Sequence, residues 1–216
     1  AGPGIMEAGV EGAGADRAFG VNILLPFESE ANALLAGDPK LINFRYFFTR
    51  KVTFMKESNA FALLPGGYGT MDESFELLTF MQTGRSPLAP VVLLEPEGST
   101  YWATWSSFVE VELVDRGLVS PDDRAFVEIC TTTEQAVEEV LSFYDTYHSM
   151  RYVGRQLVIR CTREIDDDEL AELNQEFADI VVRGRIERSD ATDAEVADDD
   201  VVDLPRLAFV FDRASF

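Results

Sequence analysis

Residues 65–73, Pro-Gly-Gly-Tyr-Gly-Thr-Met-Asp-Glu, place three glycines, a hydroxyl and a carboxylate where an anion could be held and what it carries could be attacked. Gly66, Gly67 and Gly69 let backbone N–H groups approach a phosphate, and the first turn of a following helix leaves its own N–H groups without internal partners. Thr70 adds a hydroxyl, and Glu73 adds a carboxylate one turn on. Thr70 and Glu73 also stand three apart, the spacing of a capping box, so a well-capped helix accounts for the same residues. Upstream, Arg50 and Lys51 bring a rigid fork of donors and a compact ammonium. On one helix the two would point about 100° apart, so they need not act together.

The elements that must position these groups follow from periodicity. Residues 60–64, Ala-Phe-Ala-Leu-Leu, predict a buried strand that empties into the glycine loop, and a helix beginning near Met71 continues to about Gln82, where Thr83-Gly84 and Pro87 end it. Residues 48–57 predict a helix carrying Arg50 and Lys51. Residues 19–25 predict a strand ended by Pro26, and 28–40 a surface loop. Further on, the pattern predicts a strand at 90–94, a helix at 102–116 stopped by Gly117, a strand at 126–130 and a helix capped by Thr132 or Thr133. Strands alternating with helices define an α/β layered domain with a mainly parallel sheet.

The rhythm changes after residue 148. Residues 147–154 are read as a linker, 155–163 as an alternating strand, 166–180 as a helix, 179–186 as a second run, 189–203 as a mobile acidic loop and 205–211 as a closing strand. The expected organisation is a nucleotide-binding domain over 1–148 and a small α+β appendage over 155–216. The opening residues, Ala-Gly-Pro-Gly-Ile-Met-Glu, form a glycine loop that normally follows a strand, so the chain is expected to lack an N-terminal piece of its sheet.

A formal net charge of -21 argues against nucleic acid as a partner, and any anionic substrate must be met by a local positive site. No apolar run reaches the roughly 18 residues of a membrane span, and a cytoplasmic location is expected. Cys130, Cys161 and His148 show no metal-ligand spacing, so no metal is expected.

Taken together, Gly2-Pro-Gly-Ile-Met-Glu-Ala8, Arg50-Lys51 and the 65–73 motif resemble the LOG (Lonely Guy) family, many of whose members carried the label "possible lysine decarboxylase". The resemblance covers about residues 1–145, and 150–216 look like the extra C-terminal segment of longer bacterial members. It implies a Rossmann-like fold and a phosphoribohydrolase that cleaves a nucleoside 5'-monophosphate, such as AMP or an N6-modified AMP, to free base and ribose 5-phosphate. By motif position, Arg50 and Glu73 would be the catalytic pair, Gly66, Gly67, Gly69 and Thr70 would hold the phosphate, and Gly4, Met6, Glu7 and Lys51 would lie at the substrate. No cofactor is implied, and a homodimer or higher homo-oligomer is, with the aromatic segment 44–55 suited to the interface. A different class of function, a non-catalytic nucleotide or molybdenum-cofactor carrier, fits the same fold. Amino-acid decarboxylation would call for a pyridoxal cofactor on a Schiff-base lysine, and the chain has only Lys40, Lys51 and Lys56.

Overall fold

The computed structural model describes residues 4–24 and 33–212, and they fall into two compact units, Ala1–Asn59 with Leu64–Leu77, and Ala60–Leu63 with Leu78–Phe216. In the first, helix α1 (Ile5–Ala13) precedes strand β1 (Gly20–Ile23), which pairs in parallel with β2 (Leu41–Phe44) from Gly20 opposite Leu41 to Ile23 opposite Phe44. Val10, Ala18 and Leu35 form the buried core here, with Leu41 packed against it. Gly4 starts α1 at φ 73, a left-handed conformation that strains any residue with a Cβ.

Strand β1 starts within the predicted 19–25 run. Its expected stop at Pro26 lies outside the described residues, as do Gly2 and Pro3 of the opening loop and residues 28–32 of the expected surface loop. No alternation in the sequence marks β2, because four residues paired to a distant partner leave little local signature. Helix α2 (Phe47–Glu57) begins one residue before the predicted helix.

The second unit contains β3 (Phe61–Leu63), β4 (Val91–Leu94) and β5 (Val127–Cys130), all parallel, in the order β3-β4-β5. Central β4 buries Val91, Val92 and Leu93 almost completely, which is why it reads as an uninterrupted apolar run. In sequence, α3 (Tyr68–Gln82), whose residues 68–77 belong to the first unit, and α4 (Tyr101–Phe108) lie between the strands, and α5 (Thr133–Thr146) follows β5. Parallel neighbours require such crossovers, and the result is a Rossmann-like α/β architecture. The helix predicted over 102–116 divides: α4 passes into a π-helical segment, Val109–Val114, closed by Asp115 N–H donating to Glu110 C=O. Ahead of α4, the buried Glu95 carboxylate accepts from Ser99 Oγ and Trp102 N–H, serving as a cap set seven residues upstream.

An antiparallel sheet ordered β6-β7-β9-β8 completes this unit. It is built from β6 (Tyr147–Val153), β7 (Gln156–Cys161), β8 (Val181–Arg188) and β9 (Arg206–Phe211). Helix α6 (Asp167–Glu176) belongs with it, and Leu157, Cys161, Ile165, Ile186, Leu207 and Phe209 form its apolar core, a small α+β arrangement as expected. Two expectations need correction. Residues 147–154 are not a linker: β6 joins β7 through a two-residue hairpin in which Gly154 takes φ 62, the geometry a tight turn between twisted strands demands.

Residues 189–203 are not a mobile loop either. They contain α7 (Asp193–Asp198), started by a reciprocal capping box between Thr192 and Glu195. Glu195 is fully buried, and its Oε1 accepts from Arg160 Nε at 2.9 Å, Arg160 Nη2 at 2.8 Å and Arg206 Nε at 3.3 Å. Asp200 meets both Arg160 and Arg151, and Asp198 meets Arg151. The acids of this segment are counter-ions to arginines on neighbouring strands, a pairing across tens of residues that a local charge count reads as solvation.

Candidate active site

Helix α3 opens from the glycine loop, with Gly67 C=O accepting from Met71 N–H. Thr70 is therefore the third residue of the helix, and its C=O accepts from the buried Ser74 Oγ at 2.6 Å. The capping-box alternative does not describe this helix, because Thr70 is inside it and the Glu73 carboxylate turns to Arg50. A Cβ built on Gly66 would stand 2.1 Å from Thr70 Oγ1, whereas Gly67 and Gly69 face open space. Gly66 is thus required for the loop to fold back on the helix start, and the other two leave their backbone approachable. Tyr68 between them is 97% exposed. Gly66→Ala is expected to displace the loop and lower the midpoint of urea unfolding, while Gly69→Ala, with open space around its Cβ, has a smaller effect.

Facing this loop's helix within the same unit, α2 contributes both basic residues of the motif. Arg50 Nη2 bonds Glu73 Oε1, and the guanidinium lies 5.4 Å from the centroid of the Phe47 ring. The pair is largely sheltered, with side-chain exposures of 16% for Arg50 and 33% for Glu73. Arg50 Nε is buried and has no hydrogen-bond partner among the described residues. The guanidinium therefore keeps donor capacity beyond its carboxylate bond.

Lys51 also reaches α3, so the roughly 100° separation along α2 does not keep the two residues apart in action. Its Nζ stands 3.0 Å from Asp72 Oδ2 and 2.5 Å from Glu76 Oε2. The hydrogen bond that Lys51 donates to Glu76 raises the Lys51 pKa above its ordinary value; partial burial opposes this and Asp72 adds to it. Arg50 and Lys51 thereby meet three consecutive acids of one helix face, Asp72, Glu73 and Glu76. Asp72 and Glu76 are spaced i, i+4, the one sequence signal that could have marked them as a shared clasp.

Gly4, Met6 and Glu7 lie on a separate element, at the first turn of α1, where Glu7 sits favourably at the positive end of the helix. Among the described residues no group of three or more His, Cys, Asp or Glu is arranged to hold a metal ion. No helix among them is long and apolar enough to cross a membrane. A Schiff-base site fits poorly: Lys51 is held charged between two carboxylates, Lys40 is paired with Asp38, and Lys56 is an exposed partner of Glu57. Imine formation needs a neutral amine, and the Lys51 environment opposes it.

Comparison with known proteins gives the same motifs a context. Residues 4–140 match the family described as "Possible lysine decarboxylase". A rice relative (Oryza sativa subsp. japonica), "Probable cytokinin riboside 5'-monophosphate phosphoribohydrolase LOGL3", is 35% identical over 99 residues, covering 46% of this chain and 44% of the relative. "Cytokinin riboside 5'-monophosphate phosphoribohydrolase LOG3" of Arabidopsis thaliana is 36% identical over 91 residues, covering 42% of this chain and 40% of its own. The chain thus spans less than half the length of these relatives. The family match extends over well over half of the chain and takes in the α1 turn, the Arg50-Lys51 pair and the glycine loop, and the chain belongs to this family, the LOG family.

Proposed function

We propose that the protein hydrolyses the N-glycosidic bond of a nucleoside 5'-monophosphate, AMP or an N6-modified AMP, releasing the base and ribose 5-phosphate. The observation that carries this reading is the Arg50–Glu73 pair, sheltered between α2 and the first turns of α3, directly after a glycine loop with two unobstructed backbone positions. In this reading Gly66, Gly67, Gly69 and Thr70 hold the 5'-phosphate through backbone N–H groups and a hydroxyl. Gly4, Met6 and Glu7 line the nucleotide.

The bond from C1' to the base nitrogen breaks with its electron pair leaving on the base, and the ribose passes through an oxocarbenium-like state. Glu73 stabilises that positive charge and orients the water whose oxygen bonds C1'. One water proton is taken up by the carboxylate and the departing base is protonated in turn, so the products balance. Arg50 directs its remaining donors at the phosphate, the ribose or the base, and holds Glu73 in place meanwhile.

Incubation with AMP or N6-isopentenyl-AMP, followed by chromatography of free base and assay of ribose 5-phosphate, tests the proposal. Stoichiometric nucleotide binding by calorimetry with no base released would overturn it in favour of a carrier. The same reading includes a homo-oligomer. Tyr46, Phe47, Phe48 and Val52 are exposed along α2, with Tyr46 and Phe48 stacked at 5.8 Å, an apolar face suited to a second copy. Phe48→Glu is expected to shift the sedimentation coefficient toward that of a monomer, and an unchanged oligomer would remove this face from the interface.

A further inference from the structure

Three carboxylates crowd the first three turns of α3, yet only one of them, Glu73, holds Arg50. Asp72 adjoins Glu73 in sequence, and Glu76 lies one turn further along the same helix, the spacing at which side chains are neighbours. Either could attract a guanidinium already bonded at Glu73. What separates the partners is Lys51, only 12% exposed, whose ammonium spans Asp72 and Glu76 and neutralises both. Two adjacent cations on α2 are thus matched to three acids on α3 in one arrangement.

Resting on the hydrolase reading above, we propose that Lys51 is a positioning residue. By occupying Asp72 and Glu76 it reserves Arg50 for Glu73 and fixes the catalytic pair, and it does not itself contact the substrate phosphate. The residue types support this. A lysine ammonium has three donors on a flexible stem and can serve two carboxylates at once, whereas the planar fork of Arg50 suits a single carboxylate with donors to spare. The raised Lys51 pKa has the same origin and keeps the bridge charged across the neutral range. Removing Lys51 leaves two unneutralised acids beside Arg50, in a chain whose formal net charge is already -21.

The test compares Lys51→Met, Lys51→Arg and the triple variant Lys51→Met/Asp72→Asn/Glu76→Gln. Lys51→Met is expected to lower kcat by about thirtyfold with KM changed less than about threefold, and the triple variant to recover to within about threefold of wild type. Lys51→Arg is expected to retain most activity. A lysine that binds phosphate gives the opposite pattern, a raised KM that neutralising Asp72 and Glu76 does not repair, and this result would overturn the proposal.

A second measurement is independent of turnover. The Arg50–Glu73 coupling, from a double-mutant cycle in urea unfolding, is expected to vanish in the Lys51→Met background and return in the triple background. Coupling that persists without Lys51 refutes the positioning role whether or not any nucleotide is hydrolysed. Inactive wild-type protein with the coupling pattern intact refutes the hydrolase reading alone.

Discussion

Glu73→Gln is expected to reduce kcat for base release by about 10²–10³-fold, the usual effect of removing one preorganised electrostatic group from a reacting centre. The neutral amide can still bond Arg50, so the architecture is kept while the charge opposed to the oxocarbenium ion is lost. Arg50→Ala is expected to lose activity to a similar degree, and Arg50→Lys to restore little of it. A lysine in that place could meet Glu73 but would lack the further fixed donors that the planar guanidinium fork offers. Neither change should cost more than about 1 kcal/mol of stability, the measurable coupling expected of a partly exposed ion pair. Wild-type base release in both variants, by the chromatographic assay, would remove this pair from the mechanism.

The largest stability effect is expected far from that pair in sequence. Glu195→Ala would leave Arg160 and Arg206, 4% and 3% exposed, without the carboxylate they share, and breaking a buried pair from one side costs about 3–5 kcal/mol. The midpoint of urea unfolding reads it directly. Val196→Ala, at the exposed neighbouring position, should stay within about 0.5 kcal/mol of wild type. The same carboxylate predicts an acid limb. Burial pushes its pKa up, but the Thr192 backbone N–H, Arg160, the Thr192 hydroxyl and Arg206 outweigh burial and hold it at about 2. The folded value lies below the unfolded one of about 4.3, so the stabilisation is complete above that pH and is lost as pH falls toward 2. Stability that does not decline between those values would contradict the burial of a charged Glu195.

The glycine-loop motif is largely legible because it is local. The glycine loop, the start of a helix and the carboxylate one turn on are consecutive, and buried β4 announces itself by an unbroken apolar run. What the local pattern does not carry depends on partners distant in sequence. Strand β2 exists through its pairing with β1, and β6 through its hairpin with β7. The segment around Glu195 is ordered by Arg160, thirty-five residues earlier, and Arg206, eleven later. Lys51 lies between the two cases, since its spacing on α2 was readable but its two acids are set by how α3 packs beside it.

The reciprocal caps carry a consequence of their own. The segment Pro121–Phe126, α5, α6 and α7 each begin with such a box, so their first turns are specified by four adjacent residues. Helices α1 and α2 have no side-chain N-cap. The start of α2 is therefore held by packing and by the ion pairs to α3, and a peptide spanning the capped, 14-residue α5 is expected to retain more helix than one spanning α2. The helix that supplies the proposed catalytic arginine is thus one whose shape is borrowed from its surroundings.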